Sequence, residues 1–287
     1  MADMSKLVFL NGALIPEGQA MIPVQDRGFL YGDGLFETLR VSHGRVFRWG
    51  SHWQRLSRGL DLLRIRLPFD SEALGRHAAD LIAANSLQDG LLRLAVSRGI
   101  GHRGYSPRGA DSPTLVMTVT PALAPALTQP LAWWVILSRH RLPGATPLSE
   151  CKTANKLLQV LARMEADDAG RDEALLTDAD GFLAEGTSGN LFWIRDGAVE
   201  HPPEEVGALP GVSGGVIREL CLARGVPIRS ARIRPADLVT TQGAFLTMST
   251  LGVVRLVGLD ELDLPCSPLV DVLWQDYQVL VDAETRV

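Results

Sequence analysis

The chain has 287 residues, 46% of them hydrophobic, and a formal net charge of −5 at pH 7. This apolar content allows one large or two modest packed domains and argues against a disordered chain. The acidic balance, without any block of like charges, argues against nucleic acid or an anionic membrane as the main partner.

The compartment can be predicted from what the sequence lacks. No apolar run reaches the roughly 20 residues that span a bilayer, and residues 1–6 lack the basic region and apolar core of a signal peptide. The three cysteines, Cys151, Cys221 and Cys266, fit neither a metal site nor a disulfide framework. We therefore expect a cytoplasmic protein without a metal.

The N-terminal part of the chain predicts short strands and two helices. Strands are expected at 7–10, 38–41, 46–49, 91–96 and 114–119, and helices are expected to begin near Ser51 and Ser71. Residues 121–130 contain three prolines, Pro121, Pro125 and Pro130, which is typical of a linker. This predicts a small α/β domain at 1–120, a linker at 121–130 and a larger domain at 131–287.

The second part mixes strands and helices without a regular alternation. Strands are expected at 133–138, 174–177, 191–194, 227–234, 244–248 and 253–259, and helices at 154–169, after Ser213 and at 268–283. In the first of these helices, Leu157, Leu158, Leu161 and Met164 are expected to face inward. The pattern favours an α+β fold over a doubly wound sheet.

Two short motifs carry the chemistry. Lys152 lies in Lys152-Thr-Ala-Asn155, ahead of a long helical pattern, and Glu185 lies in Glu185-Gly-Thr-Ser-Gly-Asn190 between two strand-like runs. A lysine amine that can condense with an aldehyde, and a carboxylate that can keep a pyridine nitrogen protonated, are what pyridoxal 5′-phosphate chemistry requires. Lys156 is the competing lysine, but the spacing to Asn155 favours Lys152.

In this order the two motifs resemble those of the class IV (fold-type IV) PLP-dependent enzymes. That group includes D-amino-acid and branched-chain aminotransferases and aminodeoxychorismate lyase, and the resemblance is greatest to the lyase. It extends from Phe9 to Val257. It implies two α/β domains with the cofactor in the cleft between them, and a homodimer with its active site near the interface.

The resemblance also implies the residues that hold the cofactor. Arg55, in His52-Trp-Gln-Arg55-Leu56, matches an arginine that binds the phosphate, and a guanidinium can contact two phosphate oxygens at once. Val212 and Ser213 follow Gly211 at a helix start, where backbone N–H groups attract anions. Ser249 and Thr250, in a turn, are expected to supply the last phosphate contact.

The substrate-binding residues are implied in the same way. Arg103 and Tyr105 lie in a glycine-rich loop where related enzymes bind a carboxylate. The alternative is that this loop is an ordinary solvated hairpin tip. Tyr31 is expected to contact substrate, and Thr38 is expected to relay a proton, although it could be an ordinary strand threonine. Asp26-Arg27-Gly28 resembles the lyase pattern, but its role cannot be derived from the sequence.

These residues predict a lyase that converts 4-amino-4-deoxychorismate to 4-aminobenzoate and pyruvate in folate biosynthesis. The alternative is an aminotransferase for D- or branched-chain amino acids, and a further alternative is a protein that binds PLP without turnover. Gly211-Val-Ser213-Gly-Gly215 also matches the nucleophile motif of serine hydrolases. That motif requires a strand before the serine and a histidine after it, yet the last histidine is His201.

Overall fold

A computed structural model describes residues 6–122 and 127–286. These residues fall into two compact units. The first contains residues 6–122 together with Cys151–Asn155 and residues 281–286, and the second contains residues 127–150 and 156–280. Residues 123–126 of the predicted linker lie outside the described residues. The predicted boundaries at 1–120 and 131–287 stay a proposal.

The first unit is built on a six-stranded antiparallel sheet in the order β2-β1-β6-β5-β3-β4. The strands are β1 (Leu7–Leu10), β2 (Ala13–Pro16), β3 (Gly34–Ser42), β4 (Arg45–Val46), β5 (Gly90–Ser97) and β6 (Thr114–Pro121). Three helices accompany it: α1 (Arg27–Tyr31), α2 (Trp49–Leu63) and α3 (Ser71–Ala84). The short helix α1 had no counterpart in the predictions, and α2 begins at Trp49, two residues before the expected Ser51.

Strand β3 divides the sheet into a buried face and an open face. Its buried side chains alternate, and they pack with Leu56 and Leu60 of α2 in one apolar core; they are Leu35, Leu39 and Val41. Successive side chains of a strand point to opposite faces. The other face of β3 therefore presents Phe36 and Thr38, which are only partly buried.

The second unit contains a nine-stranded mixed sheet. Its strands are β7 (Ala132–Arg141), β8 (Glu173–Thr177), β9 (Leu183–Gly186), β10 (Asn190–Arg195), β11 (Ala198–His201), β12 (Ile228–Ser230), β13 (Gly243–Met248), β14 (Gly252–Leu259) and β15 (Leu262–Asp263). The pairs β7–β8, β7–β14 and β11–β12 are parallel, and the other pairs are antiparallel. The helices are α4 (Leu157–Asp168), α5 (Val212–Ala223) and α6 (Pro268–Thr285).

The inward face predicted for α4 was wrong for Leu157, Leu161 and Met164, whereas Leu158 is partly buried and packs against the core as predicted. Leu157 is 79% exposed, and Leu161 and Met164 are also exposed. The helix instead buries Ala162 and Ala166 against residues of the β8 core. Small alanine side chains let the helix backbone lie close to the sheet, and Leu157, Leu161 and Met164 stay on the outer face.

The predicted fold class is confirmed, because both units combine sheets with helices and neither shows a regular βαβ alternation among the described residues. The strand expected at 227–234 is shorter than predicted, since only Ile228–Ser230 pairs with a neighbour. Within the described ranges, no helix combines the length and the apolar character that crossing a membrane requires.

Candidate active site

The segment that carries Lys152 is attached to the start of β3 in the first unit. Thr153 forms an antiparallel bridge with Leu35. On either side of that bridge, the Phe36 N–H donates to the Lys152 carbonyl at 2.9 Å and the Ala154 N–H donates to the Gly34 carbonyl at 2.9 Å. The backbone of Lys152 is therefore held by sheet-type hydrogen bonds, although no strand was predicted here.

The side chain of Lys152 lies on the open face of the first sheet. Its Nζ atom is 4.8 Å from the centroid of the Phe36 ring, which is a cation–π distance. The amide of Asn155 donates to the Gly32 carbonyl at 3.0 Å and fixes the end of the segment. The asparagine spacing that favoured Lys152 thus corresponds to a structural contact.

The competing lysine belongs to the second unit. Lys156 is the residue immediately before α4, and the Val160 N–H donates to its carbonyl at 2.9 Å. Lys152 and Lys156 therefore differ in their surroundings although they are only four residues apart. The assignment of the cofactor to Lys152 stays a prediction.

Arg55 is buried on α2 and paired with Glu37, a carboxylate that had no place among the predicted site residues. Its Nε donates to Oε1 of Glu37 at 2.8 Å, and its Nη2 donates to Oε2 at 2.6 Å. His52, one helical turn earlier, places Nδ1 2.7 Å from the same Oε2. Residues three apart lie on one face of a helix, so both side chains reach Glu37.

Burial, hydrogen bonds and neighbouring charges shift the pKa values of Glu37 and His52. Burial alone would raise the pKa of Glu37, but hydrogen bonds from Arg55 and His52 outweigh it and lower that pKa below its ordinary value. Burial lowers the pKa of His52, against the effect of Glu37, and the charges of Arg55 and Lys152 lower it further. Neutral His52 is then the Nδ1–H donor to the Glu37 carboxylate.

The strand pattern contained a signal for Glu37 that the predictions did not use. Glu37 alternates with Leu35, Leu39 and Val41, so it falls on the buried side of β3. A buried carboxylate requires a cationic or hydrogen-bonding partner. The pattern His52-Trp-Gln-Arg55 on the buried face of a neighbouring helix supplies both.

The open face of the first sheet carries Thr38 and Lys152, and it also carries Arg93, a residue absent from the predicted site. Thr38 of β3 is paired with Arg93 of β5, so the two side chains lie on the same face. The Arg93 guanidinium lies 4.1 Å from the centroid of the Phe36 ring. Phe36 is thus a common neighbour of two cations, Arg93 and Lys152.

The predicted substrate loop lies beside α1. Tyr31 and Tyr105 make an edge-to-face contact with ring centroids 5.6 Å apart, and the Gly104 N–H donates to the Tyr31 hydroxyl at 3.1 Å. Arg103 is exposed, and Tyr105 is 87% exposed. The structure therefore groups Tyr31 with the loop of Arg103 and Tyr105, and their substrate roles stay predictions.

In the second unit, Glu185 and Asn190 hold the chain ahead of α5. Glu185 is buried in β9 and directly paired with Asn190 of β10. Its Oε2 accepts a hydrogen bond from the Leu209 N–H at 3.0 Å, and the Asn190 amide donates to the Leu209 carbonyl at 2.6 Å. Both side chains thus fix the backbone that leads to Gly211.

The start of α5 has the form of an anion site. Val212 and Ser213 are its first residues, and Gly211 provides no capping side chain. N–H groups in the first turn of a helix attract anions. The Ser213 hydroxyl lies 3.0 Å from the Tyr277 hydroxyl, and both residues are buried.

The serine-hydrolase alternative requires a strand directly before Ser213. Residues 207–211, all described, form no strand, and this removes the remaining support for a serine nucleophile.

One buried hydroxyl of the second unit's sheet has no hydrogen-bond partner in the part of the chain that the structure describes. Thr247 of β13 is paired with Asn190, so its side chain lies on the sheet face of Asn190 and Glu185. Its Oγ1 is buried and makes no hydrogen bond with any described residue.

Ser249 and Thr250 form the turn that follows β13, where Ser249 is half-buried and Thr250 is exposed. Their phosphate contact stays a prediction.

Among residues 6–122 and 127–286, no three His, Cys, Asp or Glu residues cluster in a way that could hold a metal ion. Cys151 and Cys221 are buried cysteines outside any disulfide, and Cys266 is an exposed one.

Comparison with known proteins identifies relatives along most of the chain. The family model "Amino-transferase class IV" matches residues 34–258. A protein named "Putative branched-chain-amino-acid aminotransferase" from Methanocaldococcus jannaschii is 33% identical over 253 residues, covering 88% of each chain. Aminodeoxychorismate lyase of Bacillus subtilis is 28% identical over 259 residues, covering 90% of this chain and 88% of its own.

The fold also matches that of a solved enzyme. A branched-chain amino acid aminotransferase from T.th., complexed with N-(5′-phosphopyridoxyl)-L-glutamate, superposes with a TM-score of 0.89 at 24% identity. The match covers 98% of this chain and 95% of that one. This match confirms the fold. The family predicted from the Lys152 and Glu185 motifs is confirmed by the family model and the 33% identical relative.

Proposed function

The chain belongs to the amino-transferase class IV family, whose cofactor is pyridoxal 5′-phosphate, and we propose that within this family the protein is a lyase. It converts 4-amino-4-deoxychorismate to 4-aminobenzoate and pyruvate. The single observation that carries the reaction is the position of Thr38. Its hydroxyl-bearing side chain lies on the open face beside Phe36 and opposite Arg93, on the face where the Lys152 amine also lies.

Each unit, taken by itself, contains groups that suit the cofactor. The first unit supplies the Lys152 amine and the buried Arg55 guanidinium. The second supplies the Glu185 carboxylate, the N–H groups of Val212 and Ser213 at the helix start, and the buried Thr247 hydroxyl. A buried hydroxyl without a hydrogen bond is costly, so a ligand atom that completes its hydrogen bond is favoured. The phosphopyridoxyl compound bound to the T.th. enzyme supports this assignment.

The chemistry divides between the cofactor and the side chains. Bound pyridoxal phosphate withdraws electrons from the carbon that bears the substrate amine. Lys152 Nζ removes the proton from that carbon, and Glu185 holds a proton at the pyridine nitrogen. The carbon–oxygen bond to the enolpyruvyl group then breaks, the ring becomes aromatic, and Thr38 or Lys152 donates the proton that the leaving enolpyruvate requires.

Two arginines suit a substrate with two carboxylates. Arg93 lies over Phe36 on the open face, and Arg103 lies in the loop beside Tyr31. A planar guanidinium binds a carboxylate through two parallel hydrogen bonds. 4-Amino-4-deoxychorismate carries one carboxylate on the ring and one on the enolpyruvyl group, so each arginine has a candidate partner.

The alternative is an aminotransferase for branched-chain or D-amino acids. It is favoured by the Methanocaldococcus jannaschii relative at 33% identity, which exceeds the 28% of the Bacillus subtilis lyase. An aminotransferase would use the same Lys152, Glu185 and phosphate-binding groups. Thr38 is the residue that separates the two reactions, since an elimination requires a proton donor for the leaving group and transamination does not.

Product identification tests the proposal. The purified holoprotein is incubated with 4-amino-4-deoxychorismate, and separately with L-leucine or D-alanine plus 2-oxoglutarate. We expect equal amounts of 4-aminobenzoate and pyruvate from the first mixture and little glutamate from the others. Brisk glutamate formation without any 4-aminobenzoate would establish the aminotransferase instead.

Exposed apolar residues support the predicted homodimer. Residues Leu157, Val160, Leu161 and Met164 form one stripe at helical spacing on α4, and all are at least 45% exposed. In the first unit, Met21, Val24 and Phe29 are each at least 70% exposed. Apolar surfaces of this kind mark protein–protein contacts.

The dimer has its own test. Changing Leu161→Glu and Met164→Glu places charges in the α4 stripe and should convert a dimer to a monomer in light scattering. Leu222→Glu, at an exposed position on α5, is the matched control. A wild-type monomer, or a variant that stays dimeric, would contradict an interface at α4.

A further inference from the structure

Arg27 is a buried arginine that holds the backbone of the predicted substrate loop. It is only 3% exposed. Its Nη1 donates to the Gly104 carbonyl at 2.8 Å and to the His102 carbonyl at 3.5 Å, and its Nη2 donates to the Tyr105 carbonyl at 3.2 Å. These carbonyls flank Arg103, so a single guanidinium contacts the loop on both sides of that residue.

Tyr31 holds the same loop from a second direction. The Arg27 guanidinium lies 4.9 Å from the centroid of the Tyr31 ring, and the Tyr31 hydroxyl accepts the Gly104 N–H at 3.1 Å. Gly104 thus has its carbonyl bound by Arg27 and its N–H bound by Tyr31. Its φ of +106° is a conformation that residues with a side chain rarely adopt.

A second glycine of the loop, Gly101, lies against the Arg27 side chain. A Cβ atom at Gly101 would lie 2.9 Å from Arg27 Cδ, which is closer than carbon atoms approach without a shift. Gly101 therefore leaves room for the arginine stem, and Gly104 provides the turn that the guanidinium binds. Gly101 and Gly104 are thus the two glycines of this loop that the Arg27 contacts involve, and a Cβ atom at Gly101 would also lie 2.9 Å from Ala110 Cβ.

The remaining Arg27 nitrogen connects the loop to the start of β3. Arg27 Nε donates to Asp33 Oδ2 at 2.8 Å, and Arg98 contacts both carboxylate oxygens of Asp33 at 2.8 and 3.0 Å. Burial opposes the charge on Asp33, but hydrogen bonds from Arg98 and Arg27 outweigh it and lower its pKa. Asp33 is therefore a fixed carboxylate between two arginines.

Asp33 lies between the two residues that hold the Lys152 segment. The Gly32 carbonyl accepts the Asn155 amide at 3.0 Å, and the Gly34 carbonyl accepts the Ala154 N–H at 2.9 Å. The contacts therefore run without interruption from the loop through Arg27 and Asp33 to the segment of Lys152. All of these residues belong to the first unit.

We propose that Arg27 is a positioning residue that sets the substrate loop in register with the Lys152 segment, so that recognition of an anionic substrate depends on Arg27. The inference rests on the proposed function, because that function assigns substrate binding to Arg103. Arg27 does not bind the substrate itself, since its Nε, Nη1 and Nη2 are all engaged by Asp33 and the loop carbonyls. It acts by fixing the geometry of Arg103 and Tyr105.

Lysine cannot replace arginine in this position. An ammonium group is a single point charge, whereas the guanidinium reaches Asp33 and the loop carbonyls at the same time through a planar fork. Arg27→Lys keeps the charge beside Asp33 and loses most of the loop contacts. The variant should fold, because Arg98 still neutralises Asp33.

Two measurements test the positioning role, and the first does not depend on the reaction. Hydrogen exchange of the peptide covering residues 99–106 is measured in the holoprotein without substrate, for wild type, Arg27→Lys, Arg27→Gln and the control Arg108→Lys. Arg108 is an exposed arginine near the same loop. We expect at least 10-fold faster exchange in both Arg27 variants and wild-type exchange in the control.

The second measurement compares KM and kcat between the wild type and Arg27→Lys, with the anionic substrate that the wild type consumes. We expect Arg27→Lys to raise KM about 10-fold and to change kcat less than threefold, because loose positioning weakens binding more than chemistry. Unchanged loop exchange in both Arg27 variants, or faster exchange with an unchanged KM, would overturn the proposal. If the wild type transaminates and forms no 4-aminobenzoate, the proposed function fails, whereas the Arg27 test proceeds with the amino acid.

Discussion

Glu37 accepts two hydrogen bonds from Arg55, at 2.8 and 2.6 Å, within the core of the first unit. The arginine assigned to the cofactor phosphate is thus also one half of a buried ion pair. Removing one partner of such a pair leaves the other charge buried and uncompensated, which costs more than the pair contributes. Arg55 therefore has a structural role and a proposed binding role, and substitutions can separate the two.

The first prediction separates these roles with paired substitutions. Arg55→Met should lower the unfolding free energy of the apoprotein by about 3–5 kcal/mol, because Glu37 stays buried without its cation. The double variant Glu37→Gln/Arg55→Met should recover most of that loss. Both variants should bind pyridoxal phosphate more weakly, by roughly 1.5–3 kcal/mol for one charge-assisted hydrogen bond.

Urea unfolding and cofactor titration measure these quantities. A double variant as unstable as Arg55→Met would contradict the ion-pair explanation. Wild-type cofactor affinity in either variant would remove Arg55 from the phosphate site.

The second prediction concerns acid stability. The pKa of His52 is lowered from its ordinary value of 6.5, chiefly by burial, so the neutral form is the one that stabilises the fold. That stabilisation is fully present above pH 6.5 and is lost as the pH falls below it, because the unfolded chain then binds the proton more readily. Glu37, whose pKa is also lowered, adds a loss below its ordinary value of 4.5.

His52→Asn tests this origin, since the asparagine amide can donate to Glu37 without titrating. Urea midpoints measured from about pH 7.5 to about pH 5, on either side of the ordinary histidine pKa, should fall for the wild type and fall less for the variant. Parallel curves would show that His52 does not cause the acid sensitivity.

The sequence predicted these local elements more reliably than their long-range partners. The alternation in β3 and the helix of His52 and Arg55 were both recognisable as patterns, yet the pairing of Glu37 with Arg55 spans 18 residues and joins two elements. The inward face of α4 was predicted correctly only for Leu158, because an apolar stripe at helical spacing does not reveal which partner covers it.

Some contacts could not have been predicted from local pattern at all. Arg27 contacts carbonyls that are 75 and 77 residues away, and backbone carbonyls carry no sequence signal. Thr247 reads as an ordinary strand threonine, and only the register with Asn190 places it on the face of Glu185. The Lys152 and Glu185 motifs, by contrast, were recognisable because their chemistry depends on residue type and order.

The third prediction separates elimination from transamination. Thr38→Val keeps the shape of the side chain and removes its hydroxyl, so it should lower 4-aminobenzoate formation about 100-fold, the usual scale for losing a proton donor. Thr38→Ser, which keeps the hydroxyl, should retain most activity. The cofactor absorbance of both variants should match the wild type. A Thr38→Val enzyme with undiminished lyase turnover would show that the residue is structural.

The fourth prediction uses the buried Thr247 hydroxyl. In the apoprotein, Thr247→Val removes a buried group that has no hydrogen bond with the described residues, so it should raise the unfolding free energy by about 1 kcal/mol or more. With pyridoxal phosphate bound, the same variant should lose affinity, and Thr247→Ser should not. Thermal unfolding with and without cofactor measures both effects. A destabilised apoprotein, or unchanged affinity, would show that the hydroxyl does not serve the cofactor.

The identity of the cofactor lysine is tested most directly by reducing the holoprotein with borohydride and mapping the labelled peptide. Lys152 lies over Phe36 on the open face of the first sheet, whereas Lys156 immediately precedes α4 in the second unit. We expect a stoichiometric phosphopyridoxyl group on Lys152 in the wild type and its loss in Lys152→Ala, with Lys156→Ala as the matched control that stays labelled. A label on Lys156, or no label on either lysine, would contradict the proposed site.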